Sequence, residues 1–131
     1  MKIYENLSLE NMEGEIWKDV EGYEGLYQIS SMGRVKSLNY NHTKKPNILK
    51  QSLNTYGYPR VVLCKNANHK PFSVHVLVAK AFIPNPQNKP TVDHINTIRT
   101  DNRVENLEWC TASENMYHSY NKLNRKSAVA K

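Results

Sequence analysis

Thr91 to Met116, TVDHINTIRTDNRVENLEWCTASENM, constrains the fold of this chain more than any other stretch. It opens with Val92-Asp93-His94-Ile95, a carboxylate and an imidazole flanked by apolar residues, and crosses a polar loop rich in Asn, Thr, Asp and Arg. Val104 to Thr111 reads as a second strand, with Asn106 beside Leu107 and Trp109. Thr111-Ala112-Ser113-Glu114 then reads as a helix start: a threonine N-cap with a glutamate three residues on fits the capping box, and it puts Asn115 in the first turns. The order strand, loop, strand, helix sets His94, Asn106 and Asn115 on three successive elements of one small unit.

The run VDHIN, DNRVENLEW, ASEN resembles the HNH endonuclease family, in particular its homing-endonuclease-like branch of phage or intron type. Upstream, EIWKDVEGYEGLYQISSMGRVKSL (Glu15 to Leu38) resembles the short DNA-binding module that often precedes such a domain, and HVLVAKAFIPNP (His75 to Pro86) its lead-in. The resemblance runs from about Glu13 to Asn121. It implies an α+β fold, with a small N-terminal antiparallel β-sheet module followed by a helix and a ββα-metal (HNH, His-Me finger) core. The chain divides accordingly into a leader (1–12), a DNA-binding β module (13–66), a nuclease core (67–121) and a basic tail (122–131). The chain departs from the family pattern in two places. Where relatives commonly continue Asp-His-Ile-Asp-Gly, this chain has Asp93-His94-Ile95-Asn96-Thr97, and the following Asn-Asn pair is Asp101-Asn102.

Hydrolysing a phosphodiester requires a deprotonated water, an electrophile on the non-bridging oxygens and stabilisation of the leaving 3′-oxygen. A histidine and one metal ion can supply all three. An imidazole, ordinarily titrating near ~6.5, suits His94 to the role of base. Asp93 offers a hard anionic oxygen and Asn115 a neutral carbonyl oxygen, a donor pair better matched to Mg²⁺ (or Mn²⁺) than to zinc. Adjacent residues on a regular strand face opposite ways, so Asp93 and His94 need a bend or bulge at the strand end to share a cleft, and the resemblance implies one. By the same analogy Asn106 bonds across the hairpin and holds the loop bearing His94. His75 and His118 are further candidates; a partly buried helix-start histidine and a solvent-exposed one are their blander readings.

The formal charge of +6 favours a polyanionic partner, here double-stranded DNA, since each Lys or Arg set against phosphate releases a counterion. Arg34, Lys36, Arg99 and Arg103 are the candidate DNA contacts, with Lys44, Lys45 and Lys50 beyond. Cys64 and Cys110 stand far apart, so neither a disulfide framework nor a structural zinc is expected. No apolar run is long enough for a bilayer, and a cytoplasmic protein is expected, in the host cell's cytoplasm if phage-encoded, without a small-molecule cofactor.

The remaining stretches read as scaffold. Ile16-Trp17 is an apolar anchor, with Trp17 assigned to the core; Leu26 to Ser30 and Val35 to Leu38 form a hairpin around Ser31-Met32-Gly33-Arg34. Ile48 to Lys50 is a short return strand, and Tyr56 to Lys65 a longer one. Asn66 to Lys70 reads as a turn and Phe72 to Val74 as its returning partner. His75 to Phe82 is helical, with Ser73 as N-cap and Pro84 as stop. The combined reading is a metal-dependent DNA endonuclease that nicks as a monomer. A non-catalytic DNA-binding module on the same fold is the rival, and RNA binding is disfavoured by the lack of an aromatic RNP pattern.

Overall fold

The computed structural model describes residues 2–39 and 45–111. The expected helix beyond Thr111, with Asn115 and His118, lies outside the described residues, as do Lys44 and the basic tail with Lys122, Arg125, Lys126 and Lys131.

Among the described residues three antiparallel sheets and one α-helix make an α+β fold. The first sheet has the order β1-β2-β3-β4, from β1 (Trp17–Asp19), β2 (Tyr27–Ser30), β3 (Val35–Ser37) and β4 (Asn47–Ile48). The second has the order β5-β6-β7, from β5 (Ser52–Leu53), β6 (Pro59–Lys65) and β7 (Asn68–Ser73). α1 (Val74–Phe82) follows directly, and β8 (Thr91–His94) pairs with β9 (Leu107–Cys110) as the third sheet.

α1 is the hub. Its valine-rich sequence has little intrinsic helix propensity, so tertiary packing has to hold it. It packs against β2, β6, β7, β8 and β9, and buries Val74, Leu77, Val78 and Ala79 among Ile29, Val61, Leu63, Val92 and Leu107. Each fully buried Val or Leu contributes about 1.5–3 kcal/mol. Ser73 has the extended backbone of an N-cap but makes no side-chain cap bond. The helix ends at Ile83, which returns to extended backbone ahead of Pro84. The Trp109 indole N–H donates to the Ile83 carbonyl at 2.9 Å, which ties β9 to the end of α1.

Two elements differ from the sequence expectation. The β6–β7 turn is only Asn66-Ala67, both at positive φ (54° and 66°), and β7 starts at Asn68, which pairs with Lys65. A two-residue turn of this hand matches strand twist. The polar run Asn68-His69-Lys70 reads as turn because the tip of the hairpin is exposed on both faces. The second difference is at Val104–Asn106, which is a turn of 3₁₀ helix rather than the start of β9. It brings Asn106 under the preceding loop.

Candidate active site

β8 and β9 pair residue for residue, His94 with Leu107 and Asp93 with Glu108, so no bulge interrupts the ladder. The chain turns only after His94, so the ladder itself supplies no bend between Asp93 and His94, which as consecutive strand residues face opposite ways. The Thr97 N–H donates to the His94 carbonyl at 3.0 Å, and Thr97 sits at φ 65°. Asp93 and His94 are both buried, 8% and 4% exposed.

The loop from Ile95 to Arg103 is held from inside by one side chain. Asn106, buried at the foot of β9, accepts from the Asn96 N–H at 2.9 Å through Oδ1. Its Nδ2 donates to Asn96 Oδ1 at 2.9 Å and to the Asp101 carbonyl at 2.8 Å. The Ile95 N–H closes the set by donating to the Asn106 carbonyl at 2.8 Å.

The two departures from the family pattern are reciprocal. Asn96 Nδ2 donates to Asp101 Oδ2 at 2.8 Å, so an amide stands where relatives carry a carboxylate, and a carboxylate where they carry an amide. Thr97, in place of glycine, occupies the left-handed region, which costs a non-glycine residue about 1–2 kcal/mol. After the extra backbone entropy of glycine, Thr97→Gly is expected to raise stability by about 0.5–1 kcal/mol, read as a higher urea midpoint. A midpoint at or below the parent's would show that the loop absorbs threonine without strain.

His94 Nε2 lies 2.6 Å from Asn102 Oδ1, a contact that no sequence motif announces. The ring also packs 5.0 Å from the His75 ring and 5.7 Å from that of Tyr58, centroid to centroid. His75 is therefore part of the wall around His94, and its buried Nδ1 has no hydrogen-bond partner. Burial, and secondarily the neighbouring His94, push its pKa down to about 4, so it is neutral at physiological pH. Arg99 extends the wall outward. Its guanidinium lies over the Tyr58 ring at 5.2 Å and donates to the Tyr56 carbonyl, on an exposed stretch of loop.

The other candidate DNA contacts separate. Arg34 is a correction: it is fully buried, and its guanidinium donates to both Glu15 carboxylate oxygens (2.9 and 2.6 Å) and to the carbonyls of Asn6, Ser8 and Glu10. With its donors engaged in this way it cannot reach phosphate, and the carbonyls that hold it belong to the leader, which carries no pattern that would pair it with residue 34. Burial alone would raise the Glu15 pKa, but hydrogen bonds from Arg34, the Met12 N–H and Ser30 hold it below the usual value. Arg103 grips Asp101 through two nitrogens (2.7 and 2.8 Å) and reaches Glu105 at 3.2 Å. These bonds, Arg103 first, lower the Asp101 pKa, and the pair raises that of Arg103. Its charge stabilises the loop. Lys36 stands 4.1 Å over the Trp17 ring, and Trp17 is half-buried at the sheet edge, not in the core.

Among the described residues no three His, Cys, Asp or Glu side chains converge as a metal cage. A single carboxylate, Asp93, on the strand that carries His94 fits the sparse oxygen ligation of Mg²⁺, which keeps waters and takes substrate oxygens. Asn115, the second expected donor, lies outside the described residues.

Known proteins match in the same two blocks. The NUMOD4 motif model matches residues 15–64, and the HNH endonuclease model residues 72–117. An uncharacterized HNH endonuclease of Acanthamoeba polyphaga mimivirus is 45% identical over 112 residues, covering 82% of this chain and 26% of its own length. The DNA endonuclease I-HmuI of Bacillus phage SP01 is 39% identical over 100 residues, covering 76% of this chain and 55% of its own length. A solved structure of DNA binding and cleavage by the HNH homing endonuclease I-HmuI superposes with a TM-score of 0.74 at 34% identity, over 82% of this chain and 59% of that one. The chain thus spans about a quarter of the mimivirus relative and about half of the phage one. This chain thus carries a NUMOD4 motif followed by an HNH endonuclease domain.

Proposed function

We propose that this chain is a divalent-metal-dependent DNA endonuclease that cuts one strand at a time, with His94 as general base. The observation that carries the reading is His94 itself. A buried imidazole with one ring nitrogen held at 2.6 Å and its loop locked by Asn106 is a preorganised proton acceptor rather than a structural side chain in an apolar core. Asp93 and Asn115 would hold Mg²⁺ or Mn²⁺, which when bound supplies charge for the non-bridging and leaving oxygens. Asn106 positions the loop. Arg99, beside Tyr58 at the open side, contacts phosphate, and Lys36 and Lys50 grip DNA away from the site. The family assignment supports the same chemistry, as does the similarity to I-HmuI, which binds and cleaves DNA.

No helix among the described residues is long and apolar enough to cross a membrane. The proposed location is the cytoplasm, that of the host cell if the chain is phage-encoded. The proposed domain division sets the 13–66 module as DNA grip and 67–121 as catalyst. One such centre per chain attacks one phosphodiester, so a monomer nicks.

The test is supercoiled plasmid with and without Mg²⁺, alongside light scattering of the protein. Nicked circles should precede linear DNA. Concerted linearisation by a stable dimer would overturn the nicking reading, and binding without cleavage would favour the non-catalytic module. Asp93→Ala is expected to raise the Mg²⁺ requirement for cleavage by ~10-fold or more, and Asn115→Ala less, because Asp93 carries the ligand charge. His118→Ala should do less than either. If zinc alone restored activity to chelated protein, the hard-site assignment would fail.

A further inference from the structure

We propose that Asn102 is the positioning residue for His94, and that the Ser30–Arg34 turn of the N-terminal sheet is the backstop that holds Asn102 in place. The inference rests on the reading of His94 as base. It adds that the N-terminal module, besides gripping DNA, shapes the catalytic histidine.

Asn102 is 3% exposed and lies between two fixed objects. On one side its Oδ1 meets His94 Nε2 at 2.6 Å. On the other is Gly33, so close that a Cβ built there would lie 2.9 Å from the Asn102 Cβ and 3.1 Å from its carbonyl oxygen. Such contact leaves no room for Asn102 to retreat from the imidazole.

The turn carrying Gly33 is itself locked. Its N–H donates to the Ser30 carbonyl at 3.0 Å, its carbonyl accepts from Gln51 Nε2 at 2.8 Å, and the Met32 and Arg34 N–H groups share Ser30 Oγ at 3.1 and 3.0 Å. The Val104 N–H donates to the Ser31 carbonyl at 3.0 Å, which pins the far end of the same loop to the same turn. Gly33 is at φ 87°, where a side chain would add strain to the clash. The two modules therefore meet at the base of the catalytic loop.

The chemical consequence follows from what an amide oxygen can do. It only accepts, so the neutral imidazole must carry its proton on Nε2 and its lone pair on Nδ1. Asn102 thus selects one tautomer and one ring orientation. His75 and Tyr58 pack on the same ring and restrict its rotation further.

The test combines ring ¹⁵N NMR of His94 at pH 8 with single-turnover cleavage. Wild type should show the Nε2–H tautomer. Asn102→Leu, similar in shape but without an acceptor, should lose that tautomer and cut ~10–100-fold more slowly, with DNA affinity and Mg²⁺ requirement within about twofold. Asn102→Asp restores an acceptor oxygen and should restore the tautomer and most of the rate. Gly33→Ala should slow cleavage by about tenfold in the same direction. An Nδ1–H tautomer in wild type, or Asn102→Leu with an unchanged spectrum or rate, would overturn the proposal. Should Asn102→Leu fail to fold, the wild-type spectrum and Asn102→Asp decide it. A wild type that does not cut defeats the endonuclease reading, whereas the ring spectrum tests the role of Asn102 independently of cleavage.

Discussion

His94→Ala is expected to lower the rate of DNA cleavage by ~10²–10⁴ while DNA affinity changes little, the usual range for loss of a general base. The ring is buried, so the substitution also opens a cavity against His75 and Tyr58, and a melting curve has to accompany the kinetics. His94→Gln, which keeps volume but cannot take a proton at neutral pH, separates the two effects. It should fold like the parent and cut as slowly as alanine. Cleavage by either variant at the parent's rate would remove His94 from the chemistry. Arg99→Ala should instead weaken binding and leave the rate at saturating DNA nearly intact, since a phosphate contact positions rather than reacts.

Much of this architecture is legible in the sequence where pattern and burial coincide. The alternation at Tyr27 to Ser30, the apolar stripe of α1 and the stop at Pro84 each follow from one local rule, and each element is found within a few residues of its expected bounds. Val104–Asn106 is misread as strand because it runs directly into the apolar residues of β9, and the backbone bonds from the Asn106 N–H to the Arg103 carbonyl and from the Leu107 N–H to the Val104 carbonyl make it a 3₁₀ turn. At the site, motif positions such as His94 and Asn106 are visible through the family resemblance, which implies their roles. Asn102 is not. It looks like one more polar loop residue, and its burial is created by Gly33, which lies 69 positions earlier in the chain. A contact between distant segments leaves no periodicity to detect. Asn96 and Asp101 are visible in sequence only as two separate departures, and the 2.8 Å bond between them is seen only in the fold.

Arg34 shows the same limit from the other side. A cation on a turn beside a basic strand reads as a DNA contact, yet five hydrogen bonds and full burial make it the structural anchor of the N-terminus. Glu15→Leu is expected to destabilise the fold by ~3–5 kcal/mol, because it strands a buried guanidinium whose counter-charge is gone. For a chain of this length that corresponds to a melting temperature lower by roughly 10–20 °C. The double variant Glu15→Leu, Arg34→Met should recover part of the loss, since replacing both members of a buried ion pair by apolar groups is far less costly than removing one. An unchanged melting temperature in Glu15→Leu would show that the pair is open to water in solution. The consequence extends to catalysis through a short chain of contacts. Arg34 closes the turn that carries Gly33, Gly33 backs Asn102, and Asn102 holds His94. Glu15→Leu, assayed well below its own melting temperature, should therefore cut more slowly than the parent although residue 15 lies far from His94 in sequence. If Glu15→Leu were destabilised but cut at the parent's rate, the ion pair would be an anchor for the leader alone, and the link from the first sheet to the imidazole would have to run through the Ser31 to Val104 hydrogen bond instead.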